Sequence, residues 1–345
     1  MLGLIYAIAA RARRRASRRA PAQRRLQRPV ISVGNLRVGG TGKTPTVAYL
    51  ARLLLELGER PAILSRGYAR QDARAGVVVV SDGQRVCAGL AESGDEPMLL
   101  ARSVPGAPVL VASDRYLAGR LAELHLGATV HLLDDGFQHL ALWRGTDLVI
   151  VTPEDVRDPR TLPGGRLREP LSAAAAAHAL LVADATDDEA ARVKDAVPVA
   201  HLFRLSRHPG EARQWDPAGA TAAEPSAGRV FAVAGIANPA RFFAELAASG
   251  WDLAGTAHVA DHYRYRPRDV ASLVSAARAC GAWAMVTTEK DLMRLLPFAP
   301  FAMPVCWVPL HVRIEPADAF RRWLAERLAD ERLADEPARP AGVRA

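Results

Sequence analysis

Short apolar runs alternate along the chain with stretches in which apolar residues recur at helical spacing. Buried strands are predicted from the apolar runs at residues 29–33, 61–64, 109–111, 128–133, 148–151 and 179–182. Helices are predicted between them at residues 46–57, 98–102 and 114–126. Strands that alternate with helices are typical of a parallel sheet covered on both faces. The pattern therefore predicts an α/β/α sandwich with a mostly parallel sheet.

The alternation stops and then resumes in the second half of the chain. Residues 201–228 are rich in Pro, Gly, Ala and charged residues, which is typical of a linker. Strands and helices follow, and a strand at residues 305–314 is long enough to return along this linker. The predicted division is an N-terminal arm (1–28), a first α/β domain (29–200), a linker (201–228), a second, smaller α/β domain with a terminal helix (229–336) and a disordered tail (337–345).

The segment after the first strand is a candidate phosphate-binding P-loop, with the sequence Arg37-Val38-Gly39-Gly40-Thr41-Gly42-Lys43-Thr44. Glycines let backbone N–H groups turn towards phosphate oxygens, and the following helix adds its partial positive charge. Lys43 can reach the β- and γ-phosphates, and the Thr44 hydroxyl can ligate Mg²⁺. The usual pattern has glycine at position 37, so this loop resembles the variant G-G-x-G-K-[ST]. A glycine-rich turn with a chance lysine is the alternative, although the chain has only three lysines.

Acidic residues and one histidine are candidates for the remaining chemistry. Asp134 and Asp135 directly follow the strand at 128–133, where a P-loop enzyme needs a carboxylate to hold Mg²⁺ or its water. Asp95 lies in a predicted loop and is a candidate acceptor for the proton of an alcohol substrate. His262 offers an imidazole that titrates near neutrality and can share that proton. From the residues alone, the two adjacent aspartates can also be a simple turn, and His262 a surface histidine.

The positive charge is concentrated in the arm. The formal net charge is +8, but residues 11–28 contain nine arginines and no acid, which leaves a net charge of −1 on the rest. A nearly neutral body disfavours a nucleic-acid-binding protein. The apolar residues 1–10 are too few to span a bilayer, and they precede the charges, unlike a secretory signal. We therefore predict shallow insertion into an anionic membrane, with a basic tail or an RNA contact as the alternatives.

Six motifs together resemble one known family. They occur in the order Gly34-Asn35-Leu36 with Val38–Pro45, Leu64-Ser65-Arg66-Gly67-Tyr68, Gly94-Asp95-Glu96-Pro97, Asp134–His139, Pro163–Pro170 and Thr288-Glu289-Lys290-Asp291. This ordered set resembles the tetraacyldisaccharide 4′-kinase family, the lipid A 4′-kinases of Gram-negative bacteria. The resemblance extends from residue 1 to about residue 325, and the ordered set is far more specific than any one motif.

The resemblance implies a reaction and a place for it. The enzyme would transfer the γ-phosphoryl group of ATP, with Mg²⁺, to the 4′-hydroxyl of a tetraacylated glucosamine disaccharide 1-phosphate. It would be a peripheral protein at the cytoplasmic face of the inner membrane, with no nucleic-acid partner and no obligate protein partner. The family would show two α/β domains joined by a strand linker, with the active site between them.

The resemblance also assigns roles to individual residues. The family's catalytic aspartate–histidine pair maps onto Asp95 and His262, which act with Lys43. The nucleotide site would comprise the P-loop residues with Asp135, Arg168 and Glu169, and Mg²⁺ would be held by Thr44 and Asp134. The separate duties of the two adjacent aspartates, Arg168 and Glu169 are not resolved by the resemblance.

Two other functions fit part of the sequence. A nucleotide-dependent switch or a metallochaperone GTPase can have the same variant loop. A guanine site, however, needs an Asn/Thr-Lys-x-Asp element, and Thr288-Glu289-Lys290-Asp291 has the wrong order and spacing. A membrane or RNA adaptor would use the basic arm, but it would leave the P-loop, Asp134 and Asp135 unexplained.

Overall fold

The computed structural model describes residues 23–68, 70, 76–225 and 228–335, together with residue 12. The predicted tail and most of the predicted arm lie outside these residues. The strands are β1 (Val30–Asn35), β2 (Pro61–Ser65), β3 (Val77–Ser81), β4 (Val109–Ala112), β5 (Val130–Asp134), β6 (Thr146–Val151), β7 (Ala179–Ala183), β8 (Leu202–Pro209), β9 (Arg213–Gln214), β10 (Thr221–Ala222), β11 (Val230–Ala234), β12 (Leu253–His258), β13 (Ala284–Thr288), β14 (Val305–Val308) and β15 (Leu310–Glu315). The helices are α1 (Lys43–Glu56), α2 (Leu90–Ser93), α3 (Asp95–Ser103), α4 (Arg115–His125), α5 (Pro153–Arg157), α6 (Asp187–Ala196), α7 (Pro239–Ala248), α8 (Pro267–Ala279), α9 (Glu289–Leu295) and α10 (Ala317–Asp335).

A nine-stranded sheet forms the first half of the molecule, in the order β15-β8-β7-β6-β1-β5-β2-β4-β3. The strands are parallel except for β3 and β15, which pair antiparallel with β4 and β8 at the two edges. All six residues of the central strand β1 are buried, as are all those of its neighbours β5 and β6. Aliphatic runs suit such strands because helices cover both faces. The predicted α/β fold class with a mostly parallel sheet is confirmed.

A second sheet of six strands has the order β10-β9-β14-β13-β11-β12. Strands β12, β11, β13 and β14 are parallel, and the two-residue strands β9 and β10 are antiparallel additions. The apolar faces of α7 and α8 pack on this sheet through Phe242, Leu246 and Val274. This is the second, smaller α/β unit that the sequence predicts.

Two antiparallel strands connect the sheets. The predicted linker begins with β8, which continues the large sheet, and the predicted strand at 305–314 is divided into β14 and β15. Pro309 lies at the division, where its missing N–H cannot continue a ladder. Strand β14 stays in the small sheet, whereas β15 returns along β8, with Ile314 opposite Leu205.

The terminal helix α10 packs on the large sheet, which differs from its predicted place in the second domain. Phe320 is fully buried, and its ring lies 5.0 Å from that of Phe203 on β8. Near the other end of α10, the Thr146 hydroxyl of β6 donates to the Glu331 carboxylate at 2.6 Å. The physical reason is the preceding strand, since β15 has already carried the chain back to the large sheet.

The last six residues of the predicted arm pack against the first domain. The Arg24 N–H donates to the Ala141 carbonyl at 3.1 Å, and Leu26 is buried in the apolar cluster that contains Ala118 and Ala122 of α4. The predicted boundary at residue 28 therefore differs from the structure, in which residues 23–28 are part of the domain. Across the part of the chain that the structure describes, no helix has the length and apolar character needed to cross a membrane.

Candidate active site

A glycine-rich loop joins the central strand β1 to helix α1. The helix begins at Lys43, three residues before its predicted start. Its N-cap is Gly42, whose φ of 89° lies in the left-handed region that favours glycine, and Gly39 has a φ of 103°. The first N–H groups of a helix lack partners within the helix, so this loop and helix form the arrangement that binds phosphate.

Asn35, the last residue of β1, organises the loop. Its side-chain amide donates to the Thr41 hydroxyl at 2.7 Å, and its side-chain oxygen accepts from the Lys43 ammonium at 3.2 Å. Asn35 and Thr41 are buried, whereas Lys43 and Thr44 are partly exposed at the start of α1. Lys43 is therefore held in place by the buried Asn35, and both Lys43 and Thr44 remain accessible to a ligand.

Arg37 connects the loop to helix α5. Its guanidinium donates to the Thr152 hydroxyl at 2.9 Å and lies 3.4 Å from the Asp155 carboxylate. The neighbouring Val38 N–H donates to the Arg166 carbonyl at 2.9 Å. The charge of Arg37 is thus paired within the protein. Arg37, one of the predicted nucleotide-binding residues, therefore joins the outer side of the loop to the start of α5.

Asp134 and Asp135 lie beside the loop because β5 pairs with β1. Asp134 ends the strand and is buried, with the Ser65 hydroxyl 3.4 Å from its carboxylate. Asp135 accepts two hydrogen bonds from the Arg168 guanidinium, at 2.9 and 2.8 Å, and lies 3.7 Å from the Lys43 ammonium. The structure therefore brings these two aspartates, Lys43 and Arg168 together.

The two adjacent aspartates have opposite pKa shifts. Burial raises the pKa of Asp134 to about 7, the charges of Glu96 and Asp135 add to the effect, and Lys43 only partly offsets it. Burial also acts to raise the pKa of Asp135, but the Arg168 hydrogen bonds and the Lys43 charge outweigh it and hold that pKa below its usual range. Asp135 therefore stays ionised near neutral pH, whereas Asp134 binds a proton far more readily than an ordinary aspartate.

Arg168 and Glu169 lie in the segment that pairs with the outside of the P-loop. Leu167 forms an antiparallel bridge with Arg37, and Arg168 hydrogen-bonds both the side-chain and the backbone oxygen of Asn35. Glu169 is buried. Arg168 thus connects the end of β1 to Asp135, which places it at the centre of the predicted nucleotide site.

Asp95 and His262 come from the two halves of the molecule and meet in a hydrogen bond. The His262 Nδ1 atom lies 3.1 Å from the Asp95 Oδ2 atom. Asp95 is the first residue of α3, where the sequence predicts a loop, and His262 lies between β12 and α8. His262 has a φ of 59°, a left-handed conformation that costs a residue of this type about 1–3 kcal/mol. Such strain is concentrated at functional sites.

Positive charges keep Asp95 ionised. Burial acts to raise the pKa of Asp95, but the His262 hydrogen bond and the charges of Lys290 and Arg294 together hold it below its usual range. The Arg294 Nε atom lies 3.3 Å from the same carboxylate oxygen that contacts His262. A buried, ionised carboxylate with a histidine neighbour can accept a proton from a hydroxyl group.

Comparison with known proteins assigns the family. The family model described as tetraacyldisaccharide-1-P 4′-kinase matches residues 1–329. The chain belongs to this family. A tetraacyldisaccharide 4′-kinase of Geobacter metallireducens is 44% identical over 279 residues, which cover 79% of this chain and 80% of that protein. The Syntrophus aciditrophicus protein of the same name is 39% identical over 321 residues, covering 89% and 86%.

A solved structure supports the same family assignment. The crystal structure of LpxK from Aquifex aeolicus in complex with ATP has a TM-score of 0.77 and 30% sequence identity. It covers 95% of this chain and 97% of that chain. The family resemblance, the fold class and the prediction of an ATP-dependent lipid-sugar kinase are confirmed. These comparisons do not favour a switch or metallochaperone GTPase.

Three residues of the candidate site were not predicted from the sequence. Asn35 and Lys290 belong to motifs of the family resemblance, but no role follows from their positions in the sequence. Lys290 contacts His262, and the scarcity of lysine in this chain is the signal that marks it. Arg294 has no such signal, because the chain is rich in arginine and only the packing of α9 on α3 brings it to Asp95.

Proposed function

We propose that this protein transfers the γ-phosphoryl group of ATP to the 4′-hydroxyl of a tetraacylated glucosamine disaccharide 1-phosphate, a late step of lipid A biosynthesis. It acts as a peripheral protein at the cytoplasmic face of the bacterial inner membrane. The observation that carries this proposal is the contact between Asp95 and His262. It brings a proton acceptor to the junction of the two halves of the molecule. Burial, with the charge of the adjacent Glu96, raises the pKa of Asp134 beside the P-loop.

The P-loop side of the cleft holds the nucleotide. Backbone N–H groups of residues 38–44 and the Lys43 ammonium bind the β- and γ-phosphates. The Asp135 carboxylate lies close to both Lys43 and Arg168, so the Arg168–Asp135 pair helps to hold the Lys43 ammonium in place. Little covalent work falls to the protein in phosphoryl transfer, so positioning and charge stabilisation provide most of the catalysis.

The residues around Asp134 fit a magnesium ion. Within the described residues, no group of three or more His, Cys, Asp or Glu side chains could hold a metal ion alone. Mg²⁺ does not need one, because it keeps several waters and takes one or two protein ligands with the phosphates. The raised pKa of Asp134, beside Glu96 and Asp135, supports a site that is short of positive charge. Thr44 and Asp134 would hold the ion, which neutralises charge on the transferred phosphoryl group when bound.

Asp95 and His262 activate the acceptor, which is the 4′-hydroxyl of the lipid. Asp95 takes the proton of the 4′-hydroxyl as the O4′–phosphorus bond forms and the bond from phosphorus to the ADP oxygen breaks. His262 holds the Asp95 carboxylate through its Nδ1–H. The products are the 4′-phosphorylated lipid and ADP, and the proton leaves the aspartate to solvent afterwards. General base catalysis of this kind contributes about 10²–10⁴-fold to a rate.

The arm binds the enzyme to the membrane that contains the lipid substrate. Residues 1–10 are apolar and nine arginines follow in residues 11–28, which suits an anionic membrane surface. Just before the first strand, the Arg24 N–H donates to the carbonyl of Ala141, a few residues after Asp135. A membrane-bound arm would therefore hold the active-site cleft close to the bilayer, where the acyl chains of the substrate reside.

Mass spectrometry of the lipid product tests this function. The purified protein is incubated with a tetraacylated disaccharide 1-phosphate, Mg²⁺ and either ATP or GTP. We expect a product with one additional phosphate that depends on ATP and on the lipid. Hydrolysis of GTP that is independent of the lipid, without a phosphorylated product, would instead support the GTPase alternative.

A further inference from the structure

Lys290 lies between three acceptors where the two halves of the molecule meet. Its Nζ atom is 3.2 Å from the Glu96 Oε1 atom, 3.4 Å from the Asp261 Oδ1 atom and 3.3 Å from the His262 Nε2 atom. Lys290 is the second residue of α9 in the second half of the molecule, whereas Glu96 is in α3 of the first half. Because an ammonium group has three N–H donors, each donor of Lys290 has one partner.

These contacts determine the tautomer of His262. An ammonium group has no lone pair, so the Nε2 atom must accept from Lys290. The ring proton of a neutral imidazole is then on Nδ1, which donates to Asp95 at 3.1 Å. Lys290 is charged, because burial lowers its pKa but the charges of Glu96, Asp95 and Asp261 outweigh burial and raise it.

We propose that Lys290 is a positioning residue for the phosphoryl transfer, which fixes His262 as the neutral Nδ1–H tautomer so that Asp95 alone receives the substrate proton. The proposal rests on the proposed function, in which Asp95 and His262 act on the sugar hydroxyl. Lys290 acts through His262, and through Glu96 it also ties α9 to α3 across the cleft.

The surroundings of His262 explain why a cation at Nε2 matters. Four charged or titratable groups face the His262 ring: Asp95 from α3, Lys290 from α9, the neighbouring Asp261, and Tyr68 from the loop after β2. The Asp261 Oδ1 atom lies 3.9 Å from Nε2, and the Tyr68 ring lies 5.3 Å from the His262 ring. Without Lys290, the ring would face the two carboxylates of Asp95 and Asp261 and no positive charge from this set. A second proton on the ring would then be stabilised, and Asp95 would face an imidazolium.

Nitrogen NMR of histidine side chains tests the tautomer directly. Full-length protein with ¹⁵N-labelled histidine is prepared as wild type, Lys290→Met, Lys290→Gln and the control Lys194→Met on the exposed side of α6. The His262 signals are assigned by their loss in His262→Gln. We expect the Nδ1–H form in the wild type, the control and Lys290→Gln, whose amide can still donate to Nε2. In Lys290→Met we expect the imidazolium beside the Nδ1–H form, because the ionised Asp95 still accepts from Nδ1–H while Nε2 loses its donor and faces Asp261.

Kinetics on the same proteins separates charge from hydrogen bonding. We expect kcat of Lys290→Met to fall by about 10–100-fold, within the contribution of a general base. In Lys290→Gln the acid limb of the kcat/KM profile should move to higher pH, because Asp95 loses a neighbouring positive charge that the neutral His262 does not replace. An unchanged tautomer and pH profile in Lys290→Met, with only a lower Tm, would overturn the proposal.

Two further outcomes distinguish a failure of the Lys290 proposal from a failure of the proposed function. If Lys290→Met does not fold, Lys290→Gln decides alone, since an Nε2–H ring with wild-type kcat in that variant would also overturn the proposal. If the wild-type protein forms no phosphorylated lipid, the proposed function fails. The NMR comparison would then still show whether Lys290 sets the tautomer of His262.

Discussion

Asp134 and Asp135 are neighbours in the chain, yet among the residues that the structure describes only Asp135 has an arginine partner. The Arg168 guanidinium donates twice to Asp135, while Asp134 is buried with one serine hydroxyl at 3.4 Å. One carboxylate is thus neutralised by the protein, and the other is left for a ligand. This difference leaves Asp134 available to the Mg²⁺ ion that we propose for the site, and it predicts a measurable pH dependence.

The first prediction concerns the stability of the metal-free protein. The pKa of Asp134 is about 7 in the folded protein, against about 3.9 in the unfolded chain. The folded state therefore binds the proton more tightly, so this group stabilises the fold fully below pH 4 and loses that contribution as the pH rises to 7. Asp134→Asn, which stays neutral, should become more stable than the wild type by about 1–3 kcal/mol at pH 8.

Urea unfolding of both proteins at pH 5 and pH 8, without metal or nucleotide, provides the measurement. Subtracting the two free energies removes the other titrating groups that the proteins share. A difference between wild type and Asp134→Asn that is the same at both pH values would contradict the assignment of the raised pKa to Asp134.

A second prediction concerns the P-loop lysine. Lys43→Ala should lower kcat by about 10²–10³-fold, since it removes one well-aimed electrostatic contact. The fold should persist, because Lys43 is partly exposed and Asn35 keeps its bonds to Thr41 and Arg168. Lys194→Ala is the matched control, and its activity should equal that of the wild type. A steady-state kinase assay that gives near-wild-type turnover for Lys43→Ala would refute the P-loop assignment.

A third prediction compares two glycines of the same loop in the ligand-free protein. Gly42→Ala places a side chain on a residue with φ 89°, and its Cβ would lie 2.9 Å from the Arg207 side chain. A left-handed residue with a Cβ costs about 1–2 kcal/mol. Gly40→Ala has no atom within 4 Å of the new Cβ and no positive φ, so its stability should match the wild type. Equal Tm values for the two variants would argue against this loop conformation.

A fourth prediction concerns the arm. Deleting residues 1–22 should weaken binding to anionic vesicles while sparing activity on a detergent-dispersed substrate. Each basic residue near such a surface contributes roughly 1 kcal/mol, and salt screens it. The deletion ends before residue 23, because Leu26 is part of the core. Co-sedimentation at low and high salt is the measurement. If the truncated protein partitions like the full chain, the arm does not bind the membrane.

The elements with local signals were predictable from the sequence. The P-loop, Asp134 and Asp135 lie directly after apolar strands, so their chemistry follows from the ends of parallel strands in one sheet. The division of the 305–314 strand at Pro309 and the packing of α10 on the large sheet were not predicted. Their apolar residues fit either sheet equally well, and only the path of β15 determines which one they join.

The second half of the site was predictable only as far as the family resemblance reached. Asp95 and His262 are 167 positions apart, and no periodicity or spacing connects them. Their motifs resembled the family, and the structure adds the contact. Lys290 and Arg294 contact these residues through the packing of α9 on α3, a long-range arrangement that has no pattern in the sequence.

The double-mutant cycle on Asp95 and His262 tests the central claim most directly. The rate of lipid phosphorylation is measured for Asp95→Asn, His262→Gln and the double variant, with ATP binding measured separately. We expect each single change to lower kcat by about 10²–10⁴-fold while ATP affinity changes much less. Because residues that act as one unit lose activity non-additively, the double variant should be little worse than the more damaged single one. Losses in log kcat that simply add would contradict the claim that Asp95, as proton acceptor, and His262, which holds it, act as one unit.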